Sequence, residues 1–149
     1  MEKRLSMRIY KTSIKLVRET TTQYNNTNIK NITDIIKLID NIEDIKNNDV
    51  ENVYIICLNN KSVPVNYSLI AKGTINASMI DPKTIFKTIL LSNASAFIMI
   101  HNHPSGDPTP SKQDYEITNI LEKASKLLDI KFLDHIVIGN DNYISCMEV

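Results

Sequence analysis

Two histidines, a serine and an aspartate lie close together in residues 101–114, HNHPSGDPTPSKQD. His101 and His103 are two of the three histidines in the chain and are separated by one residue. Because alternate residues of an extended segment point to the same side, both imidazoles are expected to project toward one point. Asp114, in the first turn of a predicted helix, can present a carboxylate there. Two neutral imidazoles and one carboxylate, with a fourth position left to water, are the ligand set of a catalytic zinc site.

Simpler interpretations of these residues stay open on spacing alone. Ser111 and Asp114 also form the S-x-x-D pattern of a helix N-cap, and an acid in the first turn suits the helix dipole. The two histidines are also compatible with ordinary polar positions in a loop. The joint spacing, H-x-H-x7-S-x2-D, is much more specific than either half of it.

The strands that must position this segment are predicted from apolar runs and turn residues. Residues 53–58 and 96–100 are unbroken apolar runs typical of buried strands, and the second leads directly into His101. Residues 62–75 predict a further strand that ends near Gly73, and residues 8–17 predict a first strand followed by a polar loop. Residues 132–139 and 142–146 predict a closing hairpin. Interleaved with helices, these strands predict an α/β fold with a mixed central β-sheet flanked by helices.

Three amphipathic helices are predicted. The first covers residues 31–42, and the second begins with Asp81 as N-cap and Pro82 at the first helical position. The third opens at Ser111 and runs to about Leu128. The side chains expected to be buried in the second helix are Ile85, Phe86, Ile89 and Leu90. The apolar residues of the third helix are Tyr115, Ile117, Ile120, Leu121 and Ala124.

The segment HNHPSGDPTPS, followed by a helix and then by LDHIVIG, closely resembles the RadC-like branch of the JAMM (MPN-plus) metallo-isopeptidase superfamily. The resemblance covers about residue 50 to the carboxyl terminus. It implies the JAMM/MPN fold, a cytidine-deaminase-like sandwich. We therefore expect residues 49–149 to form a RadC-like JAMM domain and residues 1–48 to form an N-terminal extension of strand, loop and helix packed on it.

The resemblance also implies roles for individual residues. His101, His103 and Asp114 match the ligands of a Zn²⁺ ion, and Ser111 matches the serine whose hydroxyl helps to stabilise the oxyanion. The superfamily requires an upstream glutamate that activates the metal-bound water. Glu51, at the start of ENVYIICLN, matches that position. Without the resemblance, Glu51 would be interpreted as an ordinary exposed acid at a strand entry.

Other residues near the motif receive structural interpretations. Asp107 is interpreted as a turn residue rather than a ligand. The pair Asp134-His135 is similar to one found in the RadC-like branch, but a histidine within an apolar run favours a structural role with satisfied hydrogen bonds. One departure is that Lys83-Thr84 follows Pro82, where RadC-like chains often have Arg-Glu. The departure removes a carboxylate from that helix but no expected metal ligand.

The resemblance implies a zinc-dependent hydrolase that cleaves an amide or isopeptide bond of a protein or peptide substrate, with Glu51 as general base. The alternative is an accessory protein of DNA repair or of mobile elements, whose JAMM domain serves as a binding module. Complete RadC proteins resemble a two-part design with a helix-hairpin-helix DNA-binding region. No glycine precedes Gly73, so the Gly-x-Gly hairpins of that region are missing from this sequence.

Composition argues against several other classes. Lys+Arg and Asp+Glu both number 17, so no net charge draws the chain onto nucleic acid, and nucleic-acid contact is expected only indirectly. A zinc deaminase is excluded because its H-x-E and P-C-x-x-C elements are absent, and the letters HNH at 101–103 do not make an HNH nuclease, whose residues are dispersed. No signal peptide or run of about 20 apolar residues is found, which favours a cytoplasmic protein without a membrane partner. Cys57 and Cys146 are expected to be buried free thiols, and a homo-oligomer is left open.

Overall fold

The computed structural model describes residues 11, 13, 15–17, 19, 28–42, 45–73 and 80–147. The predicted strand over residues 8–17 and the loop after it lie largely outside this part of the chain. Leu16 and Val17, which are described, are exposed and belong to no strand. In chain order the elements are helix α1 (Ile32–Asp40), a 3-10 turn (Ile45–Asn47), strands β1 (Asn52–Leu58) and β2 (Pro64–Lys72), helix α2 (Pro82–Leu91), strand β3 (Ala96–Asn102), helix α3 (Lys112–Leu128), and strands β4 (Lys131–Ile138) and β5 (Tyr143–Ser145).

The described strands form one mixed sheet of five strands in the order β2-β1-β3-β4-β5. Strand β3 is parallel to β4, and the other neighbouring pairs are antiparallel. Every residue of β1 and β3 is buried, as their unbroken apolar runs predict, because helices cover both faces of the sheet there. The α/β class and the mixed sheet flanked by helices are confirmed, and the architecture is consistent with a JAB/MPN-type fold.

The sheet separates two apolar cores. Alternate residues of β1 point to opposite faces, so Tyr54 and Ile56 pack with α1 while Val53 and Ile55 pack with α2 and α3. On the face of α2 and α3, the Phe97 ring stacks on Phe132 with ring centroids 4.6 Å apart. His101 follows Phe97 and Met99 by the same alternation, so its side chain lies on the α3 face of the sheet.

The predicted helices are confirmed, with the expected caps Asp81 and Ser111, and Asn31 is the N-cap of α1. Leu90, expected to be buried, is instead exposed, and the apolar residues Tyr115 and Ile120 of α3 are exposed as well. The buried face of α3 includes the polar residues Asp114, Thr118 and Ser125 as well as apolar ones. Asp114 and Thr118 are buried there because they lie against the polar side chains of His101 and His135. Cys57 and Cys146 are buried and free, as predicted. Among the described helices, none has both the length and the apolar character needed to cross a bilayer.

Candidate metal centre

The sheet topology brings three distant segments to one edge. Strand β3 ends there with His101 and Asn102, and its parallel connection to β4 makes α3 start at the same edge. Strand β1 runs antiparallel to β3, with Val53 paired with His101, so the residues just before β1 also lie there. Glu51, the two histidines and Asp114 therefore meet at the carboxyl end of β3, although residues 51 and 101 are far apart in the chain.

Three predicted ligands converge on one point. The Nε2 atom of His101 lies 3.0 Å from Nε2 of His103 and 3.2 Å from Oδ1 of Asp114. The Nε2 atom of His103 lies 3.7 Å from Oδ2 of Asp114. Ligand atoms bound tetrahedrally at zinc distances are separated by about 3.3 Å from one another. The three side chains therefore have the spacing, and the nitrogen and oxygen atoms, that one such ion requires.

Glu51 lies at the open side of this cluster. Its Oε1 is 3.7 Å from Nε2 of His101, and its side chain is partly exposed. The backbone around it is held by Asn102, whose Nδ2 donates to the carbonyl of Val50 (3.0 Å) and whose Oδ1 accepts from the amide of Asn52 (2.8 Å). Asn102 is thus hydrogen-bonded to the backbone on both sides of Glu51. Sequence reasoning missed this residue, although an amide between two histidines at the end of a buried strand could have suggested it.

The loop after β3 fixes the ring of His103. Its Nδ1 donates to the carbonyl oxygen of Asp107 (2.9 Å), so in the neutral ring Nε2 carries the lone pair that faces the cluster. The carboxylate of Asp107 accepts instead from the amide and hydroxyl of Thr109 (2.9 and 2.7 Å). Asp107 therefore belongs to the turn, as interpreted from the sequence, and supports the site through its backbone.

The same loop is pressed against the turn between β4 and β5. The amide of His103 donates to the carbonyl of Ile138 (2.9 Å), and the amide of Asn140 donates to the carbonyl of Gly106 (3.1 Å). Gly106 has a φ of 84°, and a Cβ on Gly139 would collide with the Gly106 carbonyl oxygen. Glycine is required at both positions because one needs a left-handed backbone and the other needs close backbone contact.

Asp114 is a capping residue and a member of the cluster at once. It forms a capping box with Ser111, whose amide and hydroxyl both donate to Oδ2 of Asp114 (2.6 and 2.7 Å). Its other oxygen, Oδ1, faces His101. The two interpretations that the spacing left open are therefore compatible, since Oδ1 stays directed at His101 while Oδ2 accepts the capping hydrogen bonds.

The sequence matches the RadC-like JAB domain family over residues 29–149. This chain belongs to the RadC-like JAB domain family. It is 44% identical over 98 residues to a UPF0758 protein of Staphylococcus haemolyticus, a match that covers 66% of this chain and 43% of the relative. It is 38% identical over 127 residues to a UPF0758 protein of Caldanaerobacter subterraneus, covering 85% of this chain and 54% of the relative.

The chain spans about half the length of these curated relatives. The matched region begins at residue 29. The amide of Ile29 donates to the carbonyl of Ser62, two residues before the start of β2. The division at residues 48 and 49 that the sequence suggested stays a prediction.

The electrostatics of this RadC-like JAB domain favour a charged carboxylate in the cluster. Burial raises the pKa of Asp114, but hydrogen bonds with His101, His103 and Ser111 lower it by more, so its pKa is held far below the usual value. The hydrogen bond with Asp114 raises the pKa of His103 above its ordinary value, although partial burial of the ring lowers it. A negative carboxylate beside two imidazoles is the charge state in which the group binds a cation.

Behind the cluster, the RadC-like JAB domain buries its third histidine completely. Nε2 of His135 lies 2.9 Å from Nδ1 of His101, and Nδ1 of His135 lies 2.6 Å from Oγ1 of Thr118. Burial lowers the pKa of His135 to about 3, so the ring is neutral. The neighbouring Asp134 accepts from the amide of His135 (2.7 Å) and from the hydroxyl of Ser145 (2.6 Å). Both ring nitrogens of His135 are hydrogen-bonded, as the sequence suggested, but one of the partners, His101, is a predicted metal ligand.

Proposed function

We propose that this chain is a zinc-dependent hydrolase of the JAMM type that cleaves a peptide or isopeptide bond of a protein substrate. The observation that carries the proposal is the convergence of His101, His103 and Asp114 within 3.0 to 3.7 Å, beside the carboxylate of Glu51. Membership of the RadC-like JAB domain family supports it. The donor set also fits, because two neutral imidazoles and one carboxylate are what a catalytic zinc ion binds.

The proposed chemistry assigns one task to each side chain. His101, His103 and Asp114 would hold the ion, which supplies Lewis acidity and lowers the pKa of water. Glu51 takes a proton from the attacking water as the oxygen bonds to the carbonyl carbon. It then donates the proton to the amine nitrogen as the carbon–nitrogen bond breaks. Ser111, which donates to Asp114 in this structure, would turn its hydroxyl toward the oxyanion.

Metal content is the first test of this proposal. We expect about one zinc per chain after reconstitution at neutral pH, measured by elemental analysis, and essentially none in His103→Ala. The matched control is Asp107→Asn, which alters a nearby carboxylate that faces Thr109 rather than the cluster, and which should keep the zinc. A wild-type protein that takes up no zinc would contradict the proposal.

Glu51→Gln separates catalysis from binding. The variant should keep its zinc, because Glu51 lies outside the three proposed ligands, and should lose about 10²-fold or more in the hydrolysis rate. The measurement is turnover of peptide and isopeptide substrates by the zinc-loaded protein. Zinc-loaded wild-type protein that cleaves none of a broad substrate panel would favour the alternative, a JAB domain that acts only as a binding module.

A further inference from the structure

We propose that His135 is a positioning residue, which together with Thr118 fixes the proton of His101 on Nδ1 and leaves the Nε2 lone pair free for the metal ion. The proposal rests on the proposed function, since it takes His101 as a ligand. It concerns where the proton of a neutral ring resides and gives His135 no contact with substrate or ion.

The chain of hydrogen bonds starts at a group that can only accept. Oγ1 of Thr118 lies 2.6 Å from the backbone carbonyl oxygen of Asp114, one turn earlier in α3. A carbonyl has no proton, so the hydroxyl of Thr118 must donate to it. The single proton of that hydroxyl is thereby used.

The next two contacts follow from this first one. Toward Nδ1 of His135, at 2.6 Å, Oγ1 of Thr118 can only accept, so Nδ1 of His135 carries the proton. The other ring nitrogen of His135 then has a lone pair and accepts from Nδ1 of His101 at 2.9 Å. His101 is left with its proton on Nδ1 and a lone pair on Nε2, at the centre of the cluster.

This arrangement opposes the tautomer that the metal-free cluster would otherwise favour. Oδ1 of Asp114 lies 3.2 Å from Nε2 of His101, and the lone pair of His103 Nε2 faces the same atom at 3.0 Å. Both acceptors attract a proton to that nitrogen. A proton on Nε2 would occupy the position that a metal ion needs. The chain through His135 and Thr118 counteracts this attraction, because moving the proton from Nδ1 to Nε2 of His101 would leave the lone pairs of His101 Nδ1 and His135 Nε2 facing each other at 2.9 Å.

Burial makes His135 hard to replace. His101 is 1% exposed and His135 is 0% exposed, so bulk water does not reach the bond between them. His103 obtains the same tautomer from the Asp107 carbonyl in an exposed loop. Partners that orient a ligating histidine in this way typically change metal affinity by about 10- to 100-fold when they are removed.

Thr118→Val tests the proposal with little change in volume. We expect zinc affinity, measured by competition with a chelator, to fall about 10-fold or more. Thr118→Ser restores the hydroxyl and should recover the affinity. Ser125→Ala is the matched control, because it also removes a buried hydroxyl of α3 but not one in the chain to His101, and it should bind zinc like the wild type. His135→Leu should weaken binding at least as much as Thr118→Val if it folds.

A second readout needs no metal. Nitrogen-15 NMR of the histidine rings in the metal-free wild type should show the proton of His101 on Nδ1, and in Thr118→Val a shift of that proton toward Nε2. Zinc binding that is unchanged in Thr118→Val, or a wild-type His101 protonated on Nε2, would overturn the inference while leaving the proposed function standing. If the wild type binds no zinc, the proposed function fails and the ring spectra alone decide whether His135 sets the tautomer.

Discussion

At the residue scale, each side chain of the candidate centre makes one contact that holds it and another that faces the cluster. His103 is held through Nδ1 by the Asp107 carbonyl, and His101 through Nδ1 by His135. Asp114 is held through Oδ2 by Ser111. Because one atom of each side chain is used for support, the facing atoms keep fixed directions, and a bound ion would require little rearrangement.

Asn102→Ala tests the support of Glu51. Removing the side chain leaves the Val50 carbonyl and the Asn52 amide without their partner, so the free energy of unfolding should fall by about 2 kcal/mol. Urea denaturation measures this change. The control is Asn60→Ala, at an exposed position in the turn after β1, which should change the free energy by less than about 0.5 kcal/mol. Equal effects of the two substitutions would contradict the role assigned to Asn102.

At the element scale, the amino end of α3 carries the third proposed ligand because it is also a capped helix start. Ser111 accepts from the amide of Asp114, and Asp114 accepts from the amide of Ser111, so the carboxylate is tied to the helix terminus. The helix dipole further favours a negative charge in this first turn. Capping and ligand placement are therefore coupled in one pair of residues.

Ser111→Ala should uncouple them. We expect a loss of about 1 kcal/mol in the free energy of unfolding, the usual cost of removing an N-cap, together with weaker zinc binding by about 10-fold. Asn31→Ala removes the N-cap of α1, which lies on the opposite face of the sheet, and should cost similar stability without changing zinc affinity. Calorimetry and chelator competition measure the two quantities. The coupling would be disproved by a Ser111→Ala protein that binds zinc as tightly as the wild type.

At the scale of the whole molecule, the stability of the site depends on the central strands. Strand β3 lies between β1 and β4, is buried along its whole length, and ends in the candidate centre. Its side chains contribute to both apolar cores, with Ile98 on the α1 face and Phe97 on the other. Damage to this strand should therefore affect the fold as a whole rather than one face.

Ile98→Ala should lower the free energy of unfolding by about 2 to 5 kcal/mol, because the cavity left in a fully buried position cannot easily collapse. Leu127→Ala is the control, since that side chain is 86% exposed and its removal should change stability by less than about 0.5 kcal/mol. Urea denaturation again provides the comparison. A cost below about 1 kcal/mol for Ile98→Ala would show that β3 is not the centre of the core.

Sequence alone determined the elements whose signals are local. Unbroken apolar runs predicted β1 and β3, and Asp81-Pro82 and Ser111 marked the starts of α2 and α3. Both signals are local because an apolar run and an N-cap are each contained in a few consecutive residues. The alternation of His101 and His103 correctly predicted that their rings converge. Helical periodicity was less informative about burial. It identifies residues that share a face but does not show how far the neighbouring elements cover that face, so Leu90 was wrongly expected to be buried.

Only the tertiary structure decided which distant residues meet. Glu51 lies beside His101 because β1 pairs antiparallel with β3, and His135 contacts His101 because β4 pairs parallel with β3 in a register that places residue 135 opposite residue 99. The hydrogen bonds of Asn102 across the start of β1 depend on the same pairing. Strand order and register arise from packing across the whole sheet, and no short stretch of sequence contains that information.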